Sequence, residues 1–325
     1  MKIMPLEKRK ISTSRLVYGC MGLGGEWNDS PITSDDLKKG EEAVNAALEI
    51  GITMFDHADI YKMGKAETVF GQILRQKPDL REKIILQSKC GIRFPEGSLP
   101  SRYDFSKEHI LTSVDGILER LGIEYLDILL LHRPDPLVEP EEVAEAFDLL
   151  KQSGNVRNFG VSNMNAAQMK LLNVYLSEPI VVNQLEMSLN RIDWLEHGVL
   201  INQKEGISVN FSDGIIEFCR LENIQIQAWA SLAYGMYSGK PIEDPIEAVL
   251  KTRELVKKMA NEKETSEEAI VLGWLMRHPA KIQPVIGTAN PTRIHNCQDA
   301  IRQAENITRD EWYSFYVASR GHNLP

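Results

Sequence analysis

The sequence predicts an α/β fold, a (β/α)8 TIM barrel. Short β-branched apolar runs alternate with longer stretches of helical periodicity, the signature of βα units. Eight such runs occur, each followed by at least one helical pattern. No repeat, low-complexity tract or Pro/Ser linker divides the 325 residues, so residues 1–325 are expected to form one barrel domain.

The first strand falls at RLVYGCM (15–21). A helix follows from Ser34, with Leu37, Val44 and Leu48 on one face, and stops before Gly51. The second strand is ITMFDHA, and its helix carries Val69, Phe70, Ile73 and Leu74. The third, KIILQSK, is apolar almost throughout, as a strand covered on both faces should be. Its helix starts with Ser106 as N-cap and ends at Gly122. Strand four, YLDILLLH, leads to a helix opened by Pro140, where a missing N–H costs nothing, and closed by Gly154.

Strand VRNFGVSN (156–163), helix 165–176, strand IVVNQLEM (180–187), a helix near 213–222 and strand IQIQAWAS (224–231) come next. Helical patterns fill 245–260 and 266–277, and the last strand, IQPVIG (282–287), precedes helices at 291–304 and 309–319. Two connections, about 91–106 and 188–213, are long enough to suggest function, and both follow strands. A doubly wound open sheet is the competing architecture. It would place a GxGxxG turn after the first strand, and GCMGLGG (19–25) matches that only weakly.

Composition narrows the function. Charged residues make up 26% and the hydrophobic set 43%, ordinary for a globular protein. A net charge of −9 argues against nucleic acid as a partner. No apolar stretch is long enough to span a membrane, and the N-terminus lacks the apolar core of a signal peptide. Cys20, Cys90, Cys219 and Cys297 are scattered without metal-like spacing and read as reduced thiols of a cytoplasmic protein.

Asp56 with Tyr61, Lys89 and His132 stand at the ends of three consecutive strands, which converge on one face of a parallel barrel. Singly, each has a plainer reading: a packing tyrosine, a structural Lys–Asp pair, a satisfied core histidine. Together they form an acid–base group. A lysine beside a tyrosine stabilises the phenolate, a carboxylate partners the buried lysine, and an imidazole can meet a carbonyl oxygen. A metal site built from Asp56, His57, Asp59 and His132 is disfavoured, because Asp56 and His57 are neighbours in a strand and point to opposite faces. No metal is expected.

The segments DHADIY followed by Glu67, SKCG, LLLHRPDP, VRNFGVSN, NQLEMS and PVIGT resemble, in order and across nearly the whole chain, the aldo-keto reductase superfamily, notably its bacterial NADP-dependent oxidoreductases. The resemblance implies a (β/α)8 barrel that binds a nicotinamide cofactor and reduces aldehydes and ketones. Tyr61 would then donate the proton, Lys89 would depress its pKa, Asp56 would anchor Lys89, and His132 would orient the carbonyl. Ser162, Asn163 and Gln184 would hold the nicotinamide carboxamide, with Trp229 stacking on the ring. Ala230, Ser231 and Leu232 would follow the pyrophosphate, and Gly19, Cys20 and Met21 the ribose. Thr288 and Arg293 would take a 2′-phosphate, favouring NADPH/NADP+ with NADH weaker, and Asn296 would reach adenine. Gly287 stands where many relatives have lysine, so one phosphate contact is missing.

Trp27, Arg133, Trp194, Tyr234 and Tyr237 are the expected walls of the substrate pocket, suited to bulky or aromatic small-molecule carbonyls. The short tail after the last helix predicts an open mouth and broad specificity. The expected assembly is a monomer or weak homo-oligomer with no membrane partner. The alternative within the same resemblance is a non-catalytic, cofactor-binding regulatory subunit.

Overall fold

The computed structural model describes residues 3–325. Eight parallel strands close into a barrel: β1 Val17–Gly19, β2 Met54–Asp56, β3 Ile85–Cys90, β4 Leu126–Leu131, β5 Val156–Ser162, β6 Val182–Glu186, β7 Gln225–Trp229 and β8 Gln283–Ile286. Each pairs with its neighbours in sequence, and β1 closes the ring by pairing with both β2 and β8, through Tyr18↔Phe55 and Tyr18↔Ile286. The open-sheet alternative is thereby excluded. The strands are buried almost throughout, which explains why they read as apolar runs rather than alternating ones.

The helices follow the caps read from the sequence. Helix α1, Ser34–Glu49, starts at a Thr33 capping box. Helix α2 spans Lys65–Gln76, and α3, Lys107–Leu121, begins where the Ser106 hydroxyl accepts from the His109 N–H. It ends at Gly122, whose φ of 66° suits a residue without a Cβ. Helix α4, Pro140–Gln152, carries its proline in the first turn. Then come α5 Ala166–Tyr175, α6 Ile215–Leu221, α7 Glu247–Glu262 and α8 Glu267–Met276. Gly71 lets α2 approach α3, since a Cβ there would lie 2.4 Å from the Arg120 carbonyl oxygen.

Three features differ from the expectation. The helix expected at 291–304 is two pieces, Pro291–Asn296 and Ala300–Asn306. Asp299 sits at the break, its carboxylate accepting from Thr265, Arg302 and Gln303. The first long connection folds into a hairpin of Ile92–Arg93 with Arg102–Tyr103, braced by Arg93 on Asp104 at 2.8 Å. The second contains a short helix, Asp193–Val199.

The main core lies between strands and helices. A smaller one fills the barrel's lower end, where Leu6 of the short helix Pro5–Lys8 packs with Val17, Met54, Ile128 and Val285. The barrel is thus stopped below, and the strand ends that carry the titratable residues open at the other end. All four cysteines are buried and unpaired, and burial raises every thiol, those of Cys219 and Cys297 to about 12. Among the described residues no helix is long and apolar enough to cross a membrane.

Candidate active site

Strand register brings the four titratable residues together. Asp56 is opposite Gly19 on one side and Gln87 on the other, and Lys89, two residues on from Gln87, returns to the same inner face. The Lys89 ammonium donates to both Asp56 oxygens at 2.8 and 2.7 Å and to the His57 carbonyl at 2.8 Å, and it lies 3.1 Å from the Tyr61 hydroxyl. The pair is sealed: Lys89 and Asp56 side chains are 1% and 2% exposed. Such a pair survives burial only with complete hydrogen bonding, which these contacts supply. Tyr61 follows β2 in a tight turn, and Lys62, Met63 and Gly64 all adopt φ between 52° and 85°. This left-handed run turns the chain back into α2 and aims the phenol at Lys89. The His132 ring stands edge-on to that of Tyr61, centroids 5.9 Å apart.

Electrostatics give each group a protonation state. Burial pushes the Tyr61 hydroxyl above the ordinary tyrosine range, Lys89 pulls it down, and Asp56 pushes it up. Lys89 thus lowers this phenol as expected, but the net direction is upward: in the free protein the lysine offsets burial without overcoming it. Burial disfavours the Lys89 ammonium, yet Asp56 and Tyr61 outweigh it, and the lysine stays charged. Burial, Lys89 and Arg133 hold His132 well below its usual range, as a neutral imidazole. Its Nδ1 is buried without a partner, which leaves Nε2 for a ligand. His57 faces away, packing edge-on against Phe70 at 4.7 Å.

A cavity of about 580 Å³ opens above this group and runs towards Arg293. Along it, the Trp229 indole N–H donates to Asn163 Oδ1 at 3.1 Å, Asn163 Nδ2 donates to Ser162 Oγ at 2.8 Å, and Ser162 Oγ donates to the Gln184 backbone carbonyl at 2.9 Å. These bonds fix a flat ring beside a row of amide and hydroxyl groups. Ala230, Ser231 and Leu232 continue the wall, with Ser231 anchored to the Val285 carbonyl at 2.8 Å. Gly19, Met21, Gly287, Thr288 and Arg293 also reach the cavity. Cys20 lies buried beneath it, and Asn296 lies outside, in an adjoining groove, where its amide donates to Glu268 at 3.2 Å.

Of the expected substrate walls, Trp27, Arg133 and Tyr234 line the cavity. Lys62 sits 5.6 Å over the Trp27 ring, and the Arg133 guanidinium 5.7 Å from that of Trp229. Trp194 and Tyr237 require correction. Trp194 is 1% exposed, on the inward face of its short helix against Trp274 and His278. Tyr237 is 2% exposed in the core. Both rings belong to the main hydrophobic core, so packing claims them in place of a ligand.

Lys240 lines the cavity near Arg293 and was missed by sequence reasoning. A signal existed: it is the one charged residue between 230 and 242. Ile60 and Ile92 add apolar wall, Ile92 from the hairpin.

Comparison with known proteins agrees with this geometry. The profile of the aldo/keto reductase family matches residues 15–314. An uncharacterized oxidoreductase of Bacillus subtilis (strain 168), YcsN, is 35% identical over 317 residues, 96% of each chain. The 6-dehydroglucose reductase of Agrobacterium fabrum is 34% identical over 320 residues, 97% of each. In fold alone, the chain is similar to the glycerol dehydrogenase AKR11B4 from Gluconobacter oxydans, with a TM-score of 0.78 at 22% identity, covering 96% of this chain and 93% of that one.

Proposed function

The chain belongs to the aldo/keto reductase family, and from that premise we propose that it reduces aldehydes and ketones to alcohols, with NADPH as cofactor and Tyr61 as proton donor. The observation that carries this reading is Lys89, bound to both Asp56 oxygens and 3.1 Å from the Tyr61 hydroxyl at the floor of an elongated cavity.

The cavity's residues fit a nicotinamide cofactor. Ser162, Asn163 and Gln184 offer hydrogen bonds to a carboxamide, Trp229 offers a flat face, and Arg293 with Lys240 offers two cations for phosphate at the far end. When bound, the cofactor supplies the hydride that the carbonyl carbon receives. This chain's residues handle the oxygen. His132, neutral, donates a hydrogen bond from Nε2 and orients the carbonyl. Tyr61, protonated at neutral pH, passes its proton to the oxygen as negative charge develops there. Lys89 stabilises the tyrosinate left behind, and Asp56 keeps Lys89 charged and in place.

Two cations near one phosphate region support NADPH over NADH, and Lys240 offsets the missing lysine at Gly287. Arg133 has no carboxylate partner among the described residues, and its guanidinium offers donors to substrate oxygens beside the Trp27 and Tyr234 rings. The name of the Agrobacterium relative makes hydroxylated aldehydes, alongside aromatic ones, the first substrates to try. The deciding experiment follows NADPH consumption with such a panel for the wild type and Tyr61→Phe. Cofactor binding should persist in both and turnover should vanish in the variant. Full activity in Tyr61→Phe removes Tyr61 as donor.

A further inference from the structure

Barrel interiors of this architecture are usually filled by branched aliphatic side chains. Here four glutamines occupy the inside. Gln87, Gln184, Gln227 and Gln283 are each at most 2% exposed, on β3, β6, β7 and β8. Gln184 and Gln283 are the register partners of Gln227 on either side, and Gln87 is that of Asp56. Their amides form one connected ladder. Gln87 Nε2 donates to Asp56 Oδ1 at 2.6 Å and to Gln227 Oε1 at 2.9 Å. Gln184 Nε2 donates to the same Gln227 oxygen at 3.0 Å. Gln227 passes its own N–H to Gln283 Oε1 at 3.0 Å, and Gln283 ends the chain on the Ser14 carbonyl at 2.6 Å.

The ladder has a polarity, and Asp56 sets it. An amide can be turned either way, and the network decides. If Gln87 were flipped, its carbonyl oxygen would face the Asp56 carboxylate. As it stands, both contacts are made by Nε2, and Gln87 Oε1 is left buried without a partner. This orientation puts an N–H, and not a carbonyl oxygen, on the Asp56 carboxylate. The same polarity fixes Gln184 at the cavity wall: its N–H is turned inward to Gln227, so its carbonyl oxygen is the end free to accept from a ligand.

We propose that Gln87 is a positioning residue for the Asp56–Lys89 pair, and that Gln87, Gln227 and Gln184 tie this pair to the ligand-binding wall of the cavity. Lys89 takes its place from Asp56, and Asp56 takes its own from Gln87 as well as from the ammonium. The charged and titratable groups that bear on Tyr61 are Lys89, Asp56 and the Cys20 thiol, with His132 against its ring. A Gln87 N–H on Asp56 neutralises part of the carboxylate's field there. The inference rests on the reading of Tyr61 as proton donor for its consequence in turnover, but not for its detection.

The test is an ultraviolet difference titration of tyrosinate in the cofactor-free protein, each variant measured against its own Tyr61→Phe partner. Gln87→Met keeps the volume and removes both donors. Tyr61 should then titrate about one pH unit higher than in the wild type, as expected for exposing more of a nearby carboxylate. Gln227→Met, which leaves the Gln87–Asp56 contact but removes its anchor, should shift Tyr61 the same way by less, and should weaken NADPH binding through Gln184. A folded Gln87→Met protein in which Tyr61 titrates as in the wild type overturns the proposal. So does a Gln227→Met protein with both the titration and NADPH affinity unchanged, which keeps the question decidable should Gln87→Met not fold. Because the titration needs no turnover, failure of the ladder and failure of the reductase reading are separate results.

Discussion

On the proposed reading, Lys89→Met should separate two jobs assigned to one ammonium. The first is stability. Asp56, 2% exposed, would lose its counter-charge and keep only the Gln87 N–H, and leaving one member of a buried pair costs about 3–5 kcal/mol. The second is catalysis. At an effective dielectric of about 20, a unit charge 3.1 Å from the phenolic oxygen is worth about 5 kcal/mol to negative charge there, on the order of 10³–10⁴ in rate. The double variant Lys89→Met/Asp56→Asn distinguishes the jobs, because it removes the uncompensated carboxylate while still lacking the cation. Denaturant midpoints should fall sharply in the single variant and recover by about half or more in the double. NADPH consumption should be lost in both. If the double variant is no more stable than the single, the buried charge was not the source of the loss. If either variant keeps wild-type turnover, Lys89 does not stabilise the tyrosinate that proton transfer leaves behind.

Other outcomes follow from the same geometry. Arg293→Leu should raise the KM for NADPH by about 10-fold or more with little change for NADH, as expected for a charged hydrogen bond to phosphate; equal losses for both cofactors would remove it from 2′-phosphate recognition. Trp194→Leu should lower stability by about 2–4 kcal/mol through a core cavity and leave substrate KM unchanged; a large KM effect would return Trp194 to the pocket. His57 is held at about 3 in the folded protein, below its unfolded value of about 6.5. Its contribution to stability is therefore present above that unfolded value and fades as pH falls towards 3, by about 2 kcal/mol between pH 7 and pH 5. His57→Gln should flatten that acid limb in denaturation curves, and an unchanged limb would contradict the assignment.

The sequence made the barrel legible because its strands are short apolar runs bounded by glycine, proline and cap residues, and because Asp56, Lys89 and His132 are polar residues that end such runs. What stayed hidden has physical reasons. The helix Asp193–Val199 is too short for periodicity to show, so Trp194 read as a loop residue free to face a ligand. The hairpin strands Ile92–Arg93 and Arg102–Tyr103 have two residues each, below any alternation signal. Lys89's influence on Tyr61 was read correctly in sign, but burial, which outweighs it, has no local signature. The glutamine ladder was visible as polar residues inside apolar strands and needed register before Gln87 could be joined to Asp56 and Gln227.

The four enclosed thiols make the folded molecule its own clock. At neutral pH a maleimide added to native protein meets no accessible thiol, so each thiol-labelling event counts an opening. Cys20, beneath the cavity floor, times the mouth of the barrel, while Cys219, on α6 behind β7, times the helical shell. A cofactor that braces the cavity should slow the first without touching the second.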